Sequence, residues 1–518
     1  MSQPIPVAGT ARRRSIGSRI VRLLGYVGLF VLVLILAAAA RFLIVTHDRF
    51  PGYKVEVAIG AAGSEKESRP LQVGFGSVDI TPDLSNPARP VWMAGFSQNR
   101  SATNIHDPLA AAAIVIDNGH ARVGIVALDS IGFFHDDVIR VRQRVPADWK
   151  LDYVVVCSTH NHSTPDLMGL WGPSWFRSGV DPLYKEQVLN AARDALGQAV
   201  TGLSPARMTV HEIAVDPKGL VADTRKPEVF DADLRVLHFT RPTDGSTLGS
   251  LVGWGNHPET PWAGNRDITA DFPGVIRRAM AEGIPGTNGL FRRGLGGKHV
   301  FVNGAVGGLM TTHPSIEVID PVTGTRLKTP SHAKTDGVGH RLVMQILDRI
   351  ASSNTPGVES AALTVHARTM DVKLENNGFL LASGLGLLDR GHSRWMHFRT
   401  EVALITLGEV SFACIPGEIY PELVNGGIVR PPGGDFDIDP LEIPPLREMM
   451  PGRVKFVFGL ANDEIGYIIP RSEWDVKPPH LYGGNRPYGE VNSCGPDTAF
   501  RIHEALRERI EEYRAGAK

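Results

Sequence analysis

Residues 152–173, DYVVVCSTHNHSTPDLMGLWGP, carry an apolar run straight into His160-Asn161-His162. The run 153–157 is β-branched and aromatic, the composition of a buried strand. In α/β sheets, ligands gather outside the carboxyl ends of such strands. Two imidazoles at a strand mouth suggest metal chemistry, but an isolated His-x-His serves equally well as a pair of hydrogen-bonding loop residues. The choice turns on whether further ligand types stand at other strand ends. His257 follows the apolar Leu251-Val252 within Trp254-Gly255-Asn256-His257-Pro258-Glu259-Thr260. Glu418 closes Cys414-Ile415-Pro416-Gly417-Glu418, and Tyr467 closes Asn462-Asp463-Glu464-Ile465-Gly466-Tyr467 after the apolar run 454–460. Each is a nitrogen or oxygen donor where a strand gives way to a polar loop, and such positions hold catalytic zinc ligands more rigidly than free loops do. Taken singly, His257 reads as a turn residue, Glu418 as an acid at a helix N-terminus and Tyr467 as a core aromatic.

Outward from these points the periodicity alternates. Residues 109–116 and 121–128 are apolar strands separated by Asp117-Asn118-Gly119-His120, and Asn-Gly between such runs signals a hairpin. Residues 182–200 place Val188, Ala192, Leu196 and Ala199 at helical spacing. A second hairpin pattern joins 401–407 to 410–415 around Gly408-Glu409, and a last amphipathic helix follows Asp497. The expected fold is α/β: mixed β-sheets flanked by helices, an active site at strand ends, and one transmembrane helix in front.

That helix is read from the N-terminus. Residues 1–22 hold Arg12, Arg13, Arg14, Arg19 and Arg22 and no acid, and residues 23–40 carry no charge. The pattern predicts a signal anchor over 23–45, with a basic cytoplasmic segment 1–22 and the bulk of the chain outside, which in a bacterium is the periplasmic side of the inner membrane. A cleaved signal peptide competes, since Ala37 to Ala40 are small, yet the apolar run is long for one. Residues 46–70, polar and aperiodic, read as a linker to a globular domain over 71–518.

The 54 basic and 55 acidic side chains give a formal charge of −1, so nothing points to a nucleic-acid partner. The sequence carries no signal of oligomeric state. Three cysteines are too few for a disulfide framework; Cys157 and Cys414 stand close to proposed ligands but inside apolar runs, as core residues. The sequence contains no G-x-S-x-G elbow, H-E-x-x-H or P-loop, which leaves serine-hydrolase and P-loop readings without a foothold.

Several segments, in order, resemble the neutral/alkaline non-lysosomal ceramidases, zinc amidases that cleave the N-acyl bond of ceramide. They are Val73-Gly-Phe-Gly-Ser-Val-Asp-Ile-Thr-Pro82, Met93-Ala-Gly-Phe96, His106-Asp-Pro-Leu109, Ser158-Thr-His-Asn-His-Ser163, Thr224-Arg-Lys-Pro227 with Leu234-Arg-Val-Leu-His-Phe239, Asn256-His257 with Thr269-Ala-Asp271, Pro416-Gly-Glu418, Gly466-Tyr467 and Gly495-Pro-Asp-Thr498. The resemblance implies Zn²⁺ held by His160, His257, Glu418 and Tyr467. It also implies catalytic roles for His162, Tyr467 and Arg225, the last as a substrate-site cation, with Asp271 or Asp129 orienting a ligand histidine from behind. The implied substrate is an N-acyl lipid, ceramide or a relative, reached from a membrane to which the N-terminal helix attaches the chain. Two departures stand out. The family serine proposed as a nucleophile falls on Gly307 within 304–309, which favours attack by metal-activated water, and the family's C-terminal immunoglobulin-like domain is expected to be missing. An esterase or lactonase on the same zinc, and a binding protein that kept the scaffold without the chemistry, are the alternative readings.

Overall fold

The computed structural model describes residues 16–61, 68–287, 289–484 and 488–516. Among them, three larger sheets face one another. The first runs Tyr153–Ser158, Arg122–Leu128, Ala110–Asp117, Gln72–Asp79, Ser204–Pro205. The second runs Glu56–Ile59, Leu363–Lys373, His397–Leu407, Val410–Cys414, Val454–Phe458, and the third Lys298–Asn303, Thr247–Trp254, Leu234–Thr240, Arg207–Ile213. Both predicted hairpins form, with Ile116 opposite Val123 and Leu407 opposite Val410.

Alternation along the strands explains the layering. Ile114 and Val155 of the first sheet, Leu237 and Val300 of the third and Val365, Ile405 and Phe456 of the second all meet in one buried cluster, so the three sheets share a core. Their outer faces are covered by helices: Pro182–Thr201 on the first, Asp271–Glu282 and His332–Ser352 on the third, Thr498–Ala515 on the second. The buried spacing Val188, Ala192, Leu196, Ala199 is the stripe that fixes the first of these.

Each larger sheet is antiparallel except for one parallel pair. Those pairs are Arg122–Leu128 with Tyr153–Ser158, Thr247–Trp254 with Lys298–Asn303, and Val410–Cys414 with Val454–Phe458. Parallel neighbours bring two carboxyl ends to the same edge. The loops that leave them carry His160, His257, Glu418 and Tyr467.

Ahead of the domain, Ile16–Thr46 is one helix, of which Ile20–Thr46 (27 residues) is long and apolar enough to cross a membrane; its most apolar stretch is unburied, while Thr46 at its end is buried. Arg12, Arg13 and Arg14 lie outside the described residues. The expected linker over 46–70 is corrected in part, residues 62–67 lying outside the described residues. Arg399 Nη2 binds Asp48 at 2.6 Å and Arg49 Nη1 binds Asp389 at 2.8 Å. Glu56–Ile59 then adds an edge strand, Ile59 opposite Val365. Four residues in a polar setting give no periodic signal, and their partner lies some three hundred positions away in sequence, which is why the strand escapes a local reading.

Candidate metal centre

The chain leaves the strand Tyr153–Ser158 through a sharp turn in which His160 adopts φ 66°, a left-handed conformation rare outside glycine. That turn aims the His160 ring inward, where Nδ1 meets the Ile131 carbonyl at 2.7 Å. His257 is held alike, with Nδ1 2.8 Å from the Met310 carbonyl. A carbonyl only accepts, so each Nδ1 carries the proton and each Nε2 presents a lone pair to the centre. Between those lone pairs stands the Glu418 carboxylate, Oε2 3.2 Å from His160 Nε2 and 3.1 Å from His257 Nε2. His162 Nε2 is 3.5 Å from His160 Nε2, and the three imidazoles have ligand atoms within 4.8 Å of one another.

Acceptors facing acceptors at these distances are repulsive unless a cation lies among them. Two ligands held about 2.0–2.1 Å from one tetrahedral ion stand about 3.3 Å apart, which is the spacing found. The donor set, nitrogen and carboxylate oxygen with no thiolate, suits zinc. Cys157 and Cys414 are buried free thiols, and burial pushes both pKa values up, so they remain protonated core residues. The residues present therefore fit a metal ion. Without an ion the centre would be held by protons instead: burial works against the charge on Glu418, but His160 and His257, protonated and donating from Nε2, would outweigh it and hold its carboxyl well below the usual range.

The remaining predicted residues divide. Glu418 and Tyr467 are register partners in the parallel pair Glu418–Ile419 and Tyr467–Ile468, so the phenol stands beside the carboxylate. Burial, then the Glu418 charge, raises the Tyr467 pKa well above its ordinary value, leaving a neutral hydroxyl able to donate. Arg225 sits elsewhere, stacked 4.6 Å over the Tyr420 ring and paired with Glu473 and Glu490 at 3.2 Å each and Glu422 at 3.8 Å. These acids pair its charge, and Arg225 is not among the residues that line the cavity described below. Asp271 and Asp129 are corrected. Asp271 accepts from the Thr260 and Phe272 amides, and Asp129 is bound by Arg277 and the Ala110 amide; carbonyls, not carboxylates, orient the two histidines.

Glu259 went unrecognised. Its Oε2 lies 3.3 Å from His162 Nδ1, and its Oε1 accepts from Thr311 Oγ1 at 2.6 Å. The available signal was its spacing, two residues after His257 as His162 is two after His160. Also invisible beforehand was the cavity of about 80 Å³ that opens on His160, His162, Glu418 and Tyr467, walled by Phe134, Trp171, Phe379, Leu388 and Phe398. Gly307, where the resemblance places the ceramidase serine, sits behind Glu418. A Cβ there would fall within contact distance of the Tyr420 ring and 2.5 Å from the Glu418 carbonyl oxygen.

A three-sheet α/β scaffold with imidazoles and a carboxylate at the carboxyl ends of its parallel pairs defines a candidate metal centre on a known type of fold. That fold is the one seen in neutral ceramidase. The structure of neutral ceramidase from Pseudomonas aeruginosa superposes with a TM-score of 0.62 at 16% identity, over 85% of this chain and 74% of that chain. A ceramidase complexed with C2 superposes with a TM-score of 0.61 at 15% identity, over 85% and 75%. No protein-family model matches the sequence, and a search of curated proteins finds no match.

Proposed function

We propose that the protein is a zinc-dependent amidase that hydrolyses the N-acyl bond of a ceramide-like lipid, anchored by its N-terminal helix with the domain outside the cytoplasm. The observation that carries this reading is the convergence of His160, His257 and Glu418, with His160 and Glu418 lining an apolar cavity, on the neutral ceramidase fold. Those three side chains, with Tyr467, would hold the ion. When bound, zinc supplies Lewis acidity, making hydroxide available near neutral pH and polarising a carbonyl.

The chain's own residues account for the rest. The apolar walls Phe134, Trp171 and Phe379 take an acyl chain and exclude bulk water. His162 is the outlying ring, 5.0 and 5.6 Å from the other two by centroid while those lie 4.6 Å apart, and it borders the cavity. Its Nε2 is placed to take a proton as the amide is attacked and return it to the leaving amine. The Glu259 carboxylate stands 3.3 Å from Nδ1, where its charge favours the protonated ring. The Tyr467 hydroxyl donates to developing negative charge on the carbonyl oxygen. A side chain at Gly307 would clash with Tyr420 and the Glu418 carbonyl, which supports water, not a side chain at that position, as the nucleophile.

The experiment is turnover of the full chain on a panel of N-acyl sphingosines, N-acyl amino acids and simple esters, before and after chelation and zinc restoration. Zinc-restored hydrolysis of the N-acyl sphingosines above the other classes is expected. Esters alone being cleaved moves the reading to an esterase, and stoichiometric zinc without turnover of any member moves it to a binding protein.

A further inference from the structure

The N-terminal helix does not end in solvent. Its last turns rest on the segment 384–399: Arg41 Nη2 donates to the Leu385 carbonyl at 2.9 Å, the Phe42 ring lies 5.4 Å from Trp395, and the His392 amide donates to the Thr46 carbonyl at 3.1 Å. The chain that follows is clamped as well, through Arg49–Asp389 and Asp48–Arg399. Asp389 also takes Lys185 at 2.6 Å, and its amide donates to the Met168 carbonyl at 3.1 Å, tying in the loop that follows the histidines. Helix, loop and segment therefore form one fixed junction.

These two stretches, with the helix Asn377–Gly384 that leads into the second, wall the cavity through Trp171, Phe379, Leu388 and Phe398 and also present large apolar side chains to solvent. Trp175 is 73% exposed, Phe176 76%, Leu381 62% and Trp395 64%. Exposed apolar side chains gathered beside a cavity are a mark of contact with a protein or a membrane.

The helix supplies the measure of height. Twenty-seven residues span about 40 Å at 1.5 Å each, longer than a hydrocarbon core of about 30 Å, so its final turns lie at headgroup level. Those are the turns that touch Leu385 and Trp395, and tryptophan is the side chain that favours this depth.

We propose that Trp175, Phe176, Leu381 and Trp395 form a rim seated in the outer leaflet of the membrane that the helix spans, with the cavity mouth held against the lipid so that an amphiphile enters from the bilayer without crossing water. This rests on the proposed membrane-spanning role of the helix and deepens the proposed function by fixing the route of entry. Fixed geometry, not a flexible tether, does the positioning.

The test uses the full chain in phosphatidylcholine vesicles containing nitroxide-labelled phosphatidylcholine. Environment-sensitive probes are attached through Phe176→Cys and, separately, Trp395→Cys. Both probes are expected to shift to shorter emission wavelength and to lose most of their intensity to nitroxides near the headgroup. Carbonate washing of the same vesicles reports whether the helix is inserted, without reference to catalysis. Probes that stay water-like and unquenched in a carbonate-resistant chain overturn the rim alone. A chain that carbonate releases overturns the spanning helix and the rim together.

Discussion

His160, His162 and His257 differ in what they offer, and the difference predicts separable losses. His160 and His257 have their outer nitrogens committed to the Ile131 and Met310 carbonyls, so only Nε2 of each can bind a metal. His160→Ala and His257→Ala should each lose bound zinc and turnover while circular dichroism stays unchanged; stoichiometric zinc in both variants contradicts the assignment. His162→Ala should keep its zinc and lose turnover by about 100-fold or more, the scale of a lost proton carrier. With position 307 closed to any side chain, mass spectrometry after mixing with substrate should find no acylated serine; an acyl adduct would refute attack by water. Arg225 can serve the fold or the substrate, and the two roles predict different losses. Removing it leaves Glu422, Glu473 and Glu490 buried without their cation, so Arg225→Ala should lower unfolding stability by about 3–5 kcal/mol, read from denaturant midpoints. Loss of turnover at unchanged stability would return Arg225 to the substrate site. The sequence could not reveal this role, because the three acids lie roughly two hundred or more positions further along the chain.

At the scale of elements, the strands and helices were legible wherever one local rule acted: apolar alternation with Asn118-Gly119 for the first hairpin, helical spacing for Pro182–Thr201. The positions proposed as ligands stand out in the sequence for the same reason, each following an apolar run. What the local rules missed depends on pairing across the fold, as with the edge strand Glu56–Ile59 and the contact of Glu259 with His162. The third sheet carries a pH dependence of its own. His238 and His299 flank Ser250 across adjacent strands, and burial pushes each pKa down to about 4 from 6.5. Between those values the unfolded chain binds protons that the folded sheet refuses. This contribution is therefore intact above pH 6.5 and declines as pH falls toward 4. Replacing both with glutamine should reduce the stability difference between pH 7 and pH 4.5 by about 1–3 kcal/mol per site. An unchanged difference would show that neither histidine is held neutral.

For the whole molecule, the helix, the clamp at residues 48–49 and the edge strand make the N-terminal segment part of the domain. A chain beginning at His47 should therefore melt several degrees above one beginning at Leu71, which loses the Asp48–Arg399 pair and bares the edge of Leu363–Lys373; equal melting would restore the flexible linker. Three sheets, each with one parallel pair, bring distant strand ends together at the site proposed for a single ion. X-ray absorption at the zinc edge of the purified full chain tests that claim most directly. The predicted result is one zinc per chain with nitrogen and oxygen neighbours at about 2.0–2.1 Å, including imidazole scattering. A sulfur shell at about 2.3 Å, or a chain that takes up no zinc, would contradict it.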